Sequence, residues 1–364
     1  MTWQLKDIKK NKWLALLLVN FILVVSSLSL GQLLAVADGM PIGIKTILPE
    51  NQRTKATYFD LRMEPGQHQT IEIALSNVSD EEVKVHLKTN PAQTNDNGVI
   101  IYSESDKDNR LASRTISFSD ITNVDEDVVI AAKTTKQVPI ELQMPKESFD
   151  GIVLGGIHVT IAENEESNET MDDRQMAVIN KFEYSVGVLL SETDSIPTSD
   201  MLLKKVAASQ VLSRNVIKVN LENPTMSLID DIRYRSKIYK KGQTDVYLES
   251  VHTGYRLAPT SDFNLGIQMD RKKFEAGTYQ LKLTAKSEKT QQEWQWDEEF
   301  VITREEAKEF NEQAIDIEEN TFNWLWIVLI LMVLIVILLI IFIRQLSKKN
   351  ARQKKKMKRK RSKR

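Results

Sequence analysis

Twenty consecutive apolar residues, Trp324 to Ile343, run without a charge, and the tail that follows, residues 344–364, carries thirteen Lys or Arg and no acid. At about 1.5 Å per residue, a helix of that length reaches roughly 30 Å, the hydrocarbon thickness of a bilayer. Each Leu, Ile or Val in it favours insertion by roughly 0.3–0.6 kcal/mol. Trp324 and Trp326 fall where indoles settle, at the membrane–water boundary. A buried soluble helix would be hard to place beside so many positive charges. The run predicts a transmembrane helix over 322–343 and a basic cytoplasmic tail over 344–364, lying against anionic lipid and not on nucleic acid.

The other end reads as a secretion signal over 1–37. Lys6, Lys9, Lys10 and Lys12 precede an apolar stretch, Trp13 to Val25, and Ala35-Val36-Ala37 supplies a small–x–small cleavage pattern. An uncleaved anchor helix is the alternative. Either way both basic segments stay inside, which puts the middle of the chain outside. The net charge of −1 conceals this segregation, since 49 of the 50 acidic residues lie between the two basic ends. The chain has no cysteine, so an exported domain must rest on its own core without disulfides. That suits the surface of a Gram-positive bacterium, where the Asn77-Val78-Ser79 and Asn168-Glu169-Thr170 sequons carry no meaning as glycan acceptors. No LPxTG-like sorting motif precedes the span, so the protein is expected to stay in the membrane.

Between these ends the pattern has period two and is dense in turns. Gln69 to Leu75 alternates, breaks at Asn77-Val78-Ser79-Asp80, and resumes over Val83 to Leu87. Asn95-Asp96-Asn97-Gly98 marks a turn before Val99 to Tyr102. Gln137 to Leu142 is a further strand, and its Pro139 predicts an edge position. Ile152 to Ile161 and Ala177 to Leu190 form a long hairpin around an acidic loop, Glu163 to Asp173. The second half repeats the scheme: Val216 to Leu221, a break at Glu222-Asn223-Pro224, a return at Ile232 to Arg235, then Gly277 to Ala285, Glu293 to Trp296 and Glu299 to Ile302.

Many short strands with regular turns predict a mainly β chain: two immunoglobulin-like β-sandwich domains in tandem, then a juxtamembrane helix and one transmembrane helix. The first domain is placed at 38–192 and the second at 193–303, with a hinge at Ser191 to Pro197. The first could instead end before the acidic loop. Ala307, Phe310, Ala314 and Ile317 recur at helical spacing, which predicts a stalk over 304–321 that lifts the sandwiches off the bilayer.

Signals for chemistry are sparse. His68, His86, His158 and His252 stand singly, without the converging spacing a zinc site needs. No nucleophile elbow, HExxH or phosphate-cradling loop occurs, and no catalytic residue, metal or cofactor is expected. The Glu163–Asp173 loop invites a calcium reading but lacks the alternation and central glycine of a known loop, and Asp125-Glu126-Asp127 fares no better. Gly155 and Gly156 inside an apolar strand imply a bulge, a close approach, or a contact face for a partner. Trp294 and Trp296 share one sheet face, either as core or as an aromatic binding patch.

Several strings resemble a known family. Tyr58 to Leu61, Glu64 to Gln67 and Ile71 to Asn77 are similar to the start of the WxL-interacting protein family. So are Thr94 to Ile100, Met144 to Gly151 and Leu154 to Ile157, and in the second half Leu257 to Phe263, Ala276 through Lys286, and Trp294. The resemblance implies a Gram-positive surface protein that partners WxL-domain proteins, with a peptidoglycan-binding first domain and a second that binds a host ligand. It implies a non-enzymatic scaffold or adhesin. The competing expectation is a surface glycan-processing enzyme or a transport accessory subunit. A sensor is disfavoured by a tail of only twenty-one residues.

Overall fold

The computed structural model describes residues 41–103, 111, 113–162, 183–315, 317, 327–342, 344 and 348. The expected signal peptide, the acidic loop with its calcium reading and most of the basic tail lie outside the described residues.

The alternating stretches become two pairs of sheets. In the first unit, one sheet has the order β1 (Ile42–Ile47), β3 (His68–Asn77), β9 (Thr135–Gln143), β7 (Thr122–Val124). The other runs β2 (Phe59–Arg62), β11 (Glu183–Ser191), β10 (Val153–Ile161), β4 (Val83–Pro91), β8 (Asp127–Ile130). Phe59, Leu61, Ile71, Ile73, Leu75, Leu87, Ile140 and Ile157 come from both sheets and form one core between them. The period-two pattern aims every second side chain inward, so apolar burial holds the two layers together. The chain passes from one sheet at β1 to the other at β2, which pairs parallel with β11, the one parallel pair among the described strands. A short hairpin, β5 (Gln93–Thr94) and β6 (Ile100–Ile101), closes on the Asn95–Gly98 turn.

The second unit pairs β12 (Leu202–Val211), β13 (Arg214–Asn223) and β16 (Ser261–Gln268) in one sheet. Its other sheet is β15 (Val246–Leu257), β14 (Ile229–Lys240), β17 (Gly277–Ser287) and β18 (Glu293–Ile302). Tyr234 is fully buried at its centre, edge-on to Tyr255 at 5.5 Å and tilted against Phe263 at 5.9 Å.

Both units turn on the same device. The buried Asn77 amide donates to the carbonyls of Glu81, Ile130 and Ala131, and its oxygen accepts from the Ser79 N–H and hydroxyl. In the second unit the buried Asn223 amide donates to Ser227, Leu257 and Ala258, and its oxygen accepts from the Thr225 N–H and hydroxyl. The sequon-like Asn77-Val78-Ser79 is thus a structural turn with a counterpart in the other half.

The strand containing Pro139 departs from expectation. β9 lies between β3 and β7, so it is not an edge strand. However, β7 pairs only with Ile140 to Leu142 and stops short of Pro139, so the missing N–H costs the ladder nothing there. The strand is central and the proline is locally at an edge.

The expected stalk is also different. α1 (Arg304–Gln313) starts at a capping box in which Thr303 accepts from the Glu306 N–H and Glu306 accepts from the Thr303 N–H. Ala307 is buried in the second core, Phe310 lies 5.8 Å from Phe274, and the Asn311 side chain both accepts from and donates to the Phe274 backbone. The apolar stripe read as a stalk covers the open end of the second sandwich.

Residues 327–342 are helical and every side chain along them is exposed. Among the described residues no helix is long and apolar enough to cross a membrane. Residues 322–326 and 343 of the expected span lie outside the described residues.

Candidate functional site

Three of the strings that carry the family resemblance, Thr94 to Ile100, Met144 to Gly151 and Leu257 to Phe263, meet at the seam between the two units. The β5–β6 turn meets β15: the Arg256 N–H donates to the Gly98 carbonyl at 2.8 Å, and a Cβ on Gly98 would lie 2.1 Å from the Tyr255 ring. Gly98 has φ +73°, so both its backbone and its surroundings demand glycine. Thr94 accepts from the Ala258 N–H at 2.9 Å, and Asp96 takes the Asn264 N–H and the Lys218 ammonium, each at 3.2 Å. Arg114 places two N–H groups on the Thr260 carbonyl, and Ser113 donates to Glu222. On the other flank the Gly151 N–H donates to Ser195 and the Ile152 N–H to Met226. The cavity left between Phe118, Ile152, Met226 and Pro259 is about 10 Å³, no roomier than one water requires.

The segment read as a hinge is pinned in the same way. Glu192 accepts from the Ser148 hydroxyl and the Phe149 N–H, and Thr193 donates to Asp150. Asp194 pairs with Arg62 and with Arg53; the Arg62 hydrogen bond, then its charge, holds the carboxyl below the usual range. The two units are joined along a broad polar and apolar seam.

Gly155 and Gly156 serve two rings. A Cβ on Gly155 would lie 2.1 Å from the buried Phe118 ring, on the core side of the sheet. A Cβ on Gly156 would lie 2.5 Å from the Tyr102 ring, on the outer face. Gly156 pairs directly with Gly187 on β11, whose own Cβ would meet the Tyr102 hydroxyl at 3.1 Å and the Tyr58 Cβ at 3.7 Å. The Tyr102 ring therefore lies flat across two strands, beside Tyr58, which is 42% exposed. These tyrosines were not singled out in the sequence; Tyr102 ends a run, Val99 to Tyr102, whose lost alternation was the available signal.

Trp294 and Trp296 stand opposite Ala285 and Leu283 and are half-buried against the second core. His158 meets the Ser185 hydroxyl, His86 meets Asp127, and His252 lies between the Ser250 and Tyr255 hydroxyls, so the histidines do not converge. Burial lowers the His252 pKa. Asp127 is held low first by its hydrogen bond to His86 and then by Lys84. No group of carboxylates and histidines among the described residues could hold a metal. A polar groove of about 370 Å³ crosses the outer face of the first sheet, lined by His68, Thr70, Asp120, Asn123 and Glu141 among others.

Two β units joined along a closely packed seam, each with sheet faces left open, define a multi-domain β protein. Residues 43–161 match the family model "WxL Interacting Protein, peptidoglycan binding domain", and residues 173–312 match "WxL Interacting Protein, host binding domain". The chain belongs to the WxL-interacting protein family. The second match begins before β11, yet β11 pairs with β10 and β2 of the first unit. No curated protein matches the chain. Among solved structures, the YadV chaperone shares 10% identity over 72% of this chain and all of that one, with a TM-score of 0.27. The Pseudomonas aeruginosa CupB2 chaperone shares 12% over 63% and 91%, at 0.24, and a PapD-like domain of human CEP192 shares 13% over 43% and 87%, at 0.25. Overlaps this loose define neither fold detail nor activity.

Proposed function

We propose that this chain is a non-enzymatic, membrane-anchored scaffold or adhesin of the Gram-positive surface, which grips a WxL-domain protein, touches peptidoglycan with its first unit and presents its second to a host ligand. The observation that carries this reading is the pair of binding-domain matches falling on two units that the seam joins into one body. A wall contact made by one unit then fixes the orientation of the other. Both units are read as immunoglobulin-like sandwiches, consistent with their paired antiparallel sheets.

Anchoring is supported by the apolar run and its basic tail, and by helical residues 327–342, whose side chains are all exposed among the described residues. The WxL partner would add a strand to an open sheet edge or dock on a sheet face, since unpaired main-chain groups bind strands well. The acidic ectodomain favours a basic partner and salt-sensitive association. The test is a pull-down on the detergent-solubilised full chain. Enrichment of WxL-domain proteins at low salt, falling as salt rises, is expected; no enrichment at low salt would defeat the partner assignment. Clearing of a peptidoglycan suspension by the pure protein would favour the glycan-processing alternative.

A further inference from the structure

We propose that the outer face of the β2–β11–β10–β4–β8 sheet is the glycan-binding platform of the first unit, with Tyr102 and Tyr58 as the stacking surface for a wall glycan strand. The inference rests on the reading of that unit as peptidoglycan-binding and adds to it a place and a chemistry.

Glycine in the middle of two neighbouring strands weakens both, because it adds backbone entropy and packs nothing. Here the paired Gly156 and Gly187 lower the sheet surface so that one aromatic ring lies flat across it. A ring covering paired glycines restores packing, which accounts for its underside. The neighbouring Tyr58 is not needed for that purpose and stays 42% exposed. Two adjacent tyrosines on a flat sheet are a platform suited to pyranose rings, whose C–H faces are apolar and carry the slight positive charge that an aromatic face attracts. Tyrosine also brings a hydroxyl for the sugar's polar edge.

The glycine row itself and the next row along the face supply polar groups. Asn90, directly opposite Gly156, is fixed by donating to the Tyr102 carbonyl at 2.9 Å. One row further along the same face, Lys88 stands opposite His158, and His158 meets Ser185. That row lies about 7 Å from the glycine row, a step that a disaccharide can bridge. On the seam side Arg256 sits within electrostatic range of the Tyr102 hydroxyl. The border around this aromatic floor is polar and of mixed charge, with Arg256 paired to Asp230 and Glu183 3.8 Å from His158, and it offers hydrogen-bonding groups to the hydroxyl and amide substituents of a glycan. All of these residues except Gly187, Ser185 and Arg256 fall inside the matched peptidoglycan-binding segment.

The experiment is co-sedimentation of the full chain, in detergent, with purified Gram-positive sacculi, repeated with Tyr58→Ala, Tyr102→Ala, Tyr102→Phe and Glu141→Gln. The last alters the polar groove on the opposite sheet. Expected are a loss of about tenfold or more in affinity for each alanine variant, and affinity within about threefold of wild type for the other two. Thermal unfolding checks that Tyr102→Ala still folds; Tyr58→Ala, an exposed change, keeps the test valid if it does not. Wild-type binding that both alanine variants retain, or that only Glu141→Gln loses, would overturn the platform while leaving the wall-binding reading intact. Failure of the wild type to sediment would overturn both.

Discussion

Asn77 and Asn223 perform one task in the two units: each spends a buried side-chain amide on three carbonyls and an oxygen on a local turn. Removing either leaves buried carbonyls unpaired, so Asn77→Ala or Asn223→Ala should cost about 2–3 kcal/mol in urea unfolding. A cost below about 0.5 kcal/mol would mean that water replaces the amide. The sequence displayed both asparagines at breaks between strands, but not their burial, because a turn residue and a buried cap look alike until the facing carbonyls are known. Gly155 carries a similar lesson. The sequence flagged the glycine pair as a close approach or a contact face; only the fold supplies Phe118 and Tyr102 as the groups approached. Gly155→Ala should destabilise by about 1–3 kcal/mol in the same assay, since the buried Phe118 ring must move.

At the scale of elements, regular alternation was legible and irregular pairing was not. β3, β9, β13 and β17 alternate cleanly and were marked in advance. β12 and β15 were not, since β12 is bulged between Leu203 and Lys205, and β15 pairs with β14 through register shifts and carries Gly254 at φ +75°. β15 holds His252 against Ser250 and Tyr255, and Tyr255 packs on the Gly98 turn. Because burial lowers the folded-state pKa of His252, the unfolded chain binds the proton more readily. The contribution is therefore complete above the unfolded value near 6.5 and declines as pH falls below it. Melting temperature should drop as pH falls below about 6.5, and His252→Gln should flatten that part of the profile. An unchanged slope would place the titration elsewhere. α1 shows how tertiary demand redirects a legible helix: its stripe was read correctly as amphipathic, and the open end of the sandwich claims it.

For the whole molecule, the seam converts two family domains into one body. Gly98→Ala would drive a methyl into Tyr255 and separate the β5–β6 turn from β15, leaving the first core intact and disturbing the second only where Tyr255 meets Tyr234. Small-angle scattering from the detergent-solubilised protein should then show a wider spread of dimensions, and unfolding should split into two steps where the wild type gives one. A single, unchanged transition would show that the seam transmits no stability. The sequence could not reveal this joint, since hydrogen bonds such as Thr94 to Ala258 or Arg114 to Thr260 link residues far apart in the chain.

The central claim is that the β units stand outside the cell and the basic tail inside. A chain without cysteine allows this to be tested by single substitutions: Leu212→Cys, at a position 87% exposed on the second unit, and Ser362→Cys in the tail. A membrane-impermeant maleimide applied to wall-stripped, intact cells should label the first and leave the second unlabelled until the membrane is opened. Labelling of the tail in intact cells, or of neither site, would contradict the account.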